Sequence, residues 1–575
     1  MTAADRSERL TRARDRIRSL YSTLFGDARG LVVFLVAVVF LGACWRVGFF
    51  ITDSHTVANL LANVADGRLA VVEAPYSLTA TSQPGLVEVG GQYFGRNYGQ
   101  VYLAVPVVWL LEGLSLPLDL RLVVAGLWSL AIVGLGSTAA DAFDRPRLAD
   151  VGAVAGVLAA LVAVLTRSAI PAVNLHLVAL QLTTILVTGV AAVAFYRLLA
   201  LVDDRRVALA GGLGLVLATP VGFWGTLPKR HVYTAALLLL ACYWFAVGRR
   251  GTGRRATLAR AGAYGVIGYL AAIHAFEAGF MLAVLVPFDL ASARSAPLRQ
   301  HAVVVLVFLL ALAPMLATNA AISGDPLQSP RQLPDAGPGG LPPSLGDDAG
   351  SPSDPGGGGG SGTGTDGGGG GSSGGDGGSG ADDGGSTDGA GPPAGPPEVL
   401  APLVTLLATV AWIGGYMLDT LVAGLGRLSD PQGLYHVFVR SGWIPSVEYA
   451  VNGYETVELA WLETFPLAGA LLSLPVLAVD RFRRSGGDRT TVESDDGSAI
   501  TAVDLLVGTM ATVFVIAYLS LLPVHSMITL RYLLPAMPLL LYLVCRLGPV
   551  HLAVTARGRD LSRGYAAVLG VGGAA

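Results

Sequence analysis

The residues of this chain best suited to chemistry fall into four groups, each beside a long apolar run. Asp53 follows the first such run (Leu31–Ile51) almost at once. A carboxylate at that boundary is partly desolvated and could accept the proton of an acceptor hydroxyl as a general base. Asp53 or Ser54 could equally cap a helix starting near Thr56. His55, two residues on, reads as a polar loop residue. Asp66, Glu73 and Glu88 share the stretch that follows, and each could serve as a second acid, an acceptor contact or a metal ligand. Lys229, Arg230 and His231 are consecutive, and Lys229 is the single lysine among 38 basic residues. Such groups hold phosphate through charge-assisted bonds, or snorkel to lipid headgroups. Arg531 and Tyr532 stand at the mouth of a run carrying Pro535 and Pro538, where a proline-broken helix leaves carbonyls that must be buried in protein or line a cavity. His274 and Glu277 are ionisable groups inside an apolar segment, which is a functional signal in itself. Arg96 and Arg331 complete the set of cations expected on the outer side.

The elements positioning these groups must be membrane helices. Of 575 residues, 53% are hydrophobic and 14% charged, with mean hydropathy +0.59. A water-soluble fold cannot hide that much apolar surface. A bilayer crossing takes about 20 apolar residues. The apolar runs are too long for the strands of an outer-membrane barrel, which alternate over about 10 residues. The expected fold is therefore all-α, a polytopic bundle of 11–14 spans with external juxtamembrane helices. The range reflects parity: either 100–116 returns to the side it came from, or 172–200 is broken, and the flanks of Val399–Ala423 pose the same difficulty. Arginine-rich connectors (Arg205–Arg206, Arg249–Arg260, Arg294–Arg299, Arg481–Arg489) should be cytoplasmic. That requires Gly262–Leu290 to be two short helices with His274–Glu277 at an outer turn.

Residues 1–30 read as a cytoplasmic amphipathic leader, and 31–323 as an N-terminal transmembrane module with its first external loop at 52–99. Residues 334–397, rich in Gly, Ser and Asp without a basic residue, should form a disordered external linker. Residues 398–462 comprise an apolar segment and then interfacial helices; 463–550 should return to the membrane, and 551–575 to form a cytoplasmic tail. Cys44, Cys242 and Cys545 are too scattered for a disulfide framework or zinc site. Arginine in place of lysine and acidic polar segments fit a high-GC genome, through base composition alone or through life in salt.

Several motifs in order resemble the GT-C class of membrane glycosyltransferases, whose members include the protein O-mannosyltransferases and the lipid A aminoarabinose transferases. They are Asp53–Leu69 (DSHTVANLLANVADGRL), YGQVYLAVPVVWLLEG from Tyr98, the outer His231, NAAISGDPLQSP (Asn319–Pro330) and LRYLLPAMPLLL (Leu530–Leu541). The resemblance implies transfer of a sugar from a polyprenyl-phosphate donor to a protein, lipid or glycan acceptor on the external face of the cell membrane. It implies an inverting displacement with Asp53 as the catalytic carboxylate and Lys229, Arg230, His231, Arg531 and Tyr532 at the donor phosphate. Relatives often carry Asp-Glu where this chain has Asp53-Ser54, and they place a proline pair near Asn97-Tyr98-Gly99. No cofactor is named by the sequence, with a divalent metal left open, and no nucleic-acid partner is implied. The competing reading is a secondary transporter or flippase for an anionic lipid or solute, for which paired repeats and a midplane site are the usual signs.

Overall fold

The computed structural model describes residues 19–49, 53–77, 85–166, 170–292, 297–329, 401–441, 459–473, 495–520 and 530–555. At some of these, Asp53 among them, only the backbone is described. The linker at 334–397, the leader before residue 19, Arg331, Arg481–Arg489 and the tail beyond 555 lie outside them.

Helix α1 (Ser19–Phe25) bends by 64° into α2 (Ala28–Cys44). Asp27 caps α2, accepting from Gly30 N at 3.0 Å, and Tyr196 donates to both its oxygens at 2.9 Å. A loop follows, holding α3 (Asp53–Ala65) and a hairpin of β1 (Leu86–Val89) and β2 (Gln92–Gly95). Gly90 and Gly91 form its turn at φ 57° and 76°, the left-handed pair that a two-residue hairpin demands. This hairpin departs from the all-α expectation, because it is too short to register as alternating hydrophobicity.

Next come α4 (Gly99–Ser115), α5 (Leu120–Phe143), α6 (Arg147–Leu165), α7 (Leu175–Val202), α8 (Arg205–Leu217), α9 (Val221–Trp224), α10 (Arg230–Arg250), α11 (Gly253–Ser292) and α12 (Leu298–Ser323). The C-terminal part holds α13 (Ala401–Gly426), α14 (Pro431–Leu434), α15 (Trp461–Thr464), α16 (Asp495–Leu519), α17 (Leu530–Leu533), α18 (Ala536–Cys545) and α19 (Gly548–Thr555). Among the described residues seven helices are long and apolar enough to cross a membrane, or eight counting the bent α1–α2 pair. Helix α6 leaves Val151, Val154, Val157, Leu158 and Leu161 exposed, as lipid contact allows and water does not. The chain has the make-up of a multi-pass helical membrane protein.

That count is of the described residues alone, and among them two features separate apolar runs from spans. Several apolar runs become helices below spanning length, α8 (13 residues) and α18 (10 residues) among them. Helix α4 does not cross at all. Trp128 of α5 donates to Val39 O at 3.0 Å and fits over Gly42, while Gly134 lies beside Leu35, so α5 runs antiparallel to α2. The start of α5 thus sits where α2 ends, and both ends of α4 are on that side, called here the loop end. Residues 100–116 are the segment that turns back.

Helix α11 is a hairpin in all but name. His274 breaks it with φ −158°, ψ 98°. Arg260 and Asp289, nearly equidistant from that break along the chain, pair at 2.7 Å, and Tyr264 adds a 3.2 Å bond. The two arms therefore fold back on each other, with His274 and Glu277 at the loop end, as the distribution of arginines predicts. Arg249, Arg260 and Arg206 gather at the opposite, arginine end, where Arg546 pairs with Asp203 at 2.8 Å and Asp504 at 3.2 Å. The main core lies between α2, α7, α8, α10, α11, α16 and α18, and a second core joins α3, the hairpin, α4 and the start of α7.

Candidate active site

Three buried basic side chains, Lys229, His231 and Arg531, and the half-buried Arg230 gather at the loop end. Lys229 occupies the N-cap position of α10, and Arg230 and His231 open the helix. Lys229 is 6% exposed, His231 3% and Arg531 4%. Arg531 comes from α17, some three hundred residues away, yet the groups share one ring. The Tyr532 ring has the Arg531 guanidinium 5.0 Å and the Arg230 guanidinium 5.9 Å from its centre, and His231 meets it edge-on at 4.9 Å. Arg531 also donates to the Tyr532 hydroxyl at 3.1 Å. His231 lies within electrostatic reach of Lys229, Arg230, Arg531 and His274, and its Nδ1 has no hydrogen-bond partner among the described residues. A guanidinium over an aromatic face gains cation–π attraction, strongest where water is excluded.

Beneath the cations lies a carboxylate. Glu277, 1% exposed, accepts from Thr234 Oγ1 at 2.6 Å and from the Tyr518 hydroxyl. His274 Nδ1 is 3.6 Å from Glu277 Oε1. Tyr518 stacks on Tyr532 at 5.8 Å, so the carboxylate and cation groups form one continuous network. Sequence reading found the charges but missed Thr234 and Tyr518; each polar side chain at the end of an apolar run is the signal that could have found them.

The loop between α2 and α4 is tied to this site at two points. Gln181 donates to Arg46 O at 3.0 Å, Gly48 O at 3.5 Å and Thr226 O at 3.4 Å, joining the end of α2 to the turn before Lys229. Gly99, where α4 begins, lies against the backbone of Ala272 and Ile273 beside the α11 break, and Tyr269 donates to its carbonyl at 2.8 Å. Asp53 is the first residue of α3. The chain is anchored on both sides of it: Phe49 stacks on His55 at 3.8 Å, and His55 Nδ1 is 2.6 Å from Tyr76 O. Asp53 therefore stands at the same end of the bundle as Arg531; its side chain is outside the described residues. Asn59 and Asn63 stitch α3 to residues 72–77, Asn63 Oδ1 accepting from Val72 N and Glu73 N at 3.0 and 3.1 Å. Burial pushes the Tyr76 hydroxyl up to about 12, its donation to Val173 O locking the loop onto the start of α7.

The other loop acids stand apart from the cation cluster. Asp66 and Glu73 both pair with Arg68, at 2.8 and 3.0 Å, on the exposed face. Glu88 accepts from Tyr93 at 3.0 Å across the hairpin, also in solvent. These pairings hold the three loop acids at the exposed surface, where a carboxylate with a nearby partner has no drive to enter the bundle. Among the described residues the buried acid of the site is Glu277. Arg96 is half-buried at the end of the hairpin, three residues before Gly99. Among the described residues no three His, Cys, Asp or Glu side chains come together as metal ligands.

No family model, curated protein or solved structure matches this chain. The functional reading therefore rests on its own residues.

Proposed function

We propose that this protein is a membrane glycosyltransferase that moves a sugar from a polyprenyl-phosphate donor to an acceptor at the loop end, which is the external face. The observation that carries the reading is the meeting of Arg230 and His231 with Arg531 around Tyr532, from helices far apart in sequence, with Lys229 within electrostatic reach of His231. Cations are poor choices for the start of a helix, where the dipole is already positive. Concentrating them there, buried, makes an anion site, and phosphate is the anion that arginine and lysine geometry suits best. Against them the described part of the cluster sets one carboxylate, Glu277.

In the reaction proposed, an acceptor hydroxyl oxygen attacks the anomeric carbon as the bond from that carbon to the phosphate oxygen breaks. The polyprenyl phosphate leaves with the bonding electron pair, and the acceptor proton passes to Asp53. Lys229, Arg230 and Arg531 stabilise the charge that grows on the leaving phosphate, the kind of preorganised contact that lowers the barrier most. The long donor tail suits a site opening onto lipid. The position of the ionisable groups at one end, and not midway along the helices, weighs against a transport pathway.

The test is to delete the protein, profile cell-envelope glycans by mass, and restore it as wild type, Asp53→Asn or Arg531→Ala. Wild type should restore the missing glycan, and Asp53→Asn should insert normally without restoring it. Removing one phosphate contact in Arg531→Ala should cut transfer by about 10²–10³. Full restoration by Asp53→Asn ends the assignment.

A further inference from the structure

At the arginine end, remote from the cation–tyrosine cluster, a groove of about 690 Å³ opens between α1, α7, α10 and the start of α11. One wall is fixed. Arg197 donates to Leu24 O at 3.0 Å and to Thr23 O, satisfying the last carbonyls of α1, and its guanidinium lies 4.6 Å over the Tyr243 ring. The facing wall is the first turn of α11, where Arg254 and Arg255 are exposed. Neither makes a hydrogen bond or ion pair with a described residue. Two cations at the N-terminus of the first arm of α11 raise the local potential, and among the described residues nothing acidic lines the groove to offset it. The chemistry demanded is anionic.

The groove floor says which kind of anion. Leu258 lies one turn beyond Arg254 on the same stripe of α11 and is 53% exposed, and Trp244 lines the groove beside it. A charged head above an exposed leucine and an indole is the layout of a phospholipid at the membrane boundary, with the phosphate at the arginines and the chains along the apolar strip. A soluble anion has no use for that strip. The groove volume falls within the usual range of small-molecule sites, about 300–1,000 Å³.

We infer that this groove is a built binding site for the phosphate headgroup of an anionic phospholipid of the leaflet at the arginine end. It clamps α1 to the α10–α11 pair. The site is independent of the proposed transfer reaction and is testable without it.

The experiment uses the full chain in nanodiscs of phosphatidylcholine alone or doped with phosphatidylglycerol, at low ionic strength. Retained lipid is read by native mass spectrometry, and the thermal midpoint by tryptophan fluorescence. Phosphatidylglycerol should be retained selectively and raise the midpoint. Each arginine should contribute about fivefold, so Arg254→Gln/Arg255→Gln should weaken retention roughly thirtyfold and abolish the midpoint gain. Arg145→Gln/Arg147→Gln removes two exposed arginines from the α5–α6 turn at the same end, outside the groove, and should leave both readouts unchanged. Equal losses in the two double variants mean diffuse surface attraction and overturn the site. Undiminished retention in the groove variant overturns it too. Displacement of the lipid by inorganic phosphate at matched concentration overturns the lipid as the ligand.

Discussion

Gly99 should be among the least replaceable residues of the bundle. A Cβ there would lie 2.7 Å from Ala272 C, 2.7 Å from Ile273 Cγ1 and 2.8 Å from Ile273 N. Ordinary carbon contacts are about 3.5–4.0 Å, so α4 and the break in α11 would have to part by close to ~1 Å. Two of the three atoms are backbone and cannot swing away as a side chain does. Overpacking of this kind costs about 1–3 kcal/mol. The same helix supplies its own control, because a Cβ on Gly113 would meet nothing within 4 Å. Gly113→Ala should gain up to about 1 kcal/mol from helix propensity alone. Thermal or denaturant midpoints of the two variants in one detergent should therefore separate, with Gly99→Ala below wild type and Gly113→Ala at or above it. A shift of ~1 Å where the loop meets the site should also cost the proposed sugar transfer up to about hundredfold, more than the loss of folded protein explains. If Gly99→Ala were as stable as Gly113→Ala, the packing of α4 against the His274 break would be wrong, and with it the argument that α4 does not cross.

Two further outcomes follow from the same contacts. Glu277→Gln leaves the buried cations short of a counter-charge and should destabilise by about 3–5 kcal/mol, while Tyr518→Phe removes one charge-assisted bond worth about 1.5–3 kcal/mol. Because both act on one network, the double variant should fall short of the sum, and strict additivity in a double-mutant cycle would sever the link. Glu463 accepts from Ala460 N at 2.7 Å and from Ser441 Oγ at 2.9 Å, and these bonds, the Ala460 one first, hold its carboxyl below the usual glutamate value. Its contribution is thus present above the unfolded value of about 4.3 and is lost as pH falls through the lower folded one. The midpoint gap between wild type and Glu463→Gln should be small, constant near neutrality and closed in acid; a gap that widened in acid would contradict the bonding.

The apolar runs, the helical class and the end-to-end asymmetry of arginine were legible in the sequence because they follow from transfer free energy and charge, which each residue carries with it. The fold-back of α11 was legible for the same reason: only an outer turn at His274–Glu277 keeps Arg249–Arg260 on the side with the other arginines. The cations at Lys229–His231 and at Arg531 were visible as misfits in their surroundings. What hydropathy leaves undecided is whether a 17-residue apolar helix crosses or returns, and for α4 this was settled by Trp128 on Val39 and Gly99 on Ala272. The roles of the acids were decided in the same way. Glu73 and Glu277 are the same residue type between apolar neighbours, yet Arg68 keeps one in water, and Thr234, Tyr518 and the cations of two distant helices hold the other inside. Pairing across the chain depends on which helices lie side by side, and no single residue records that.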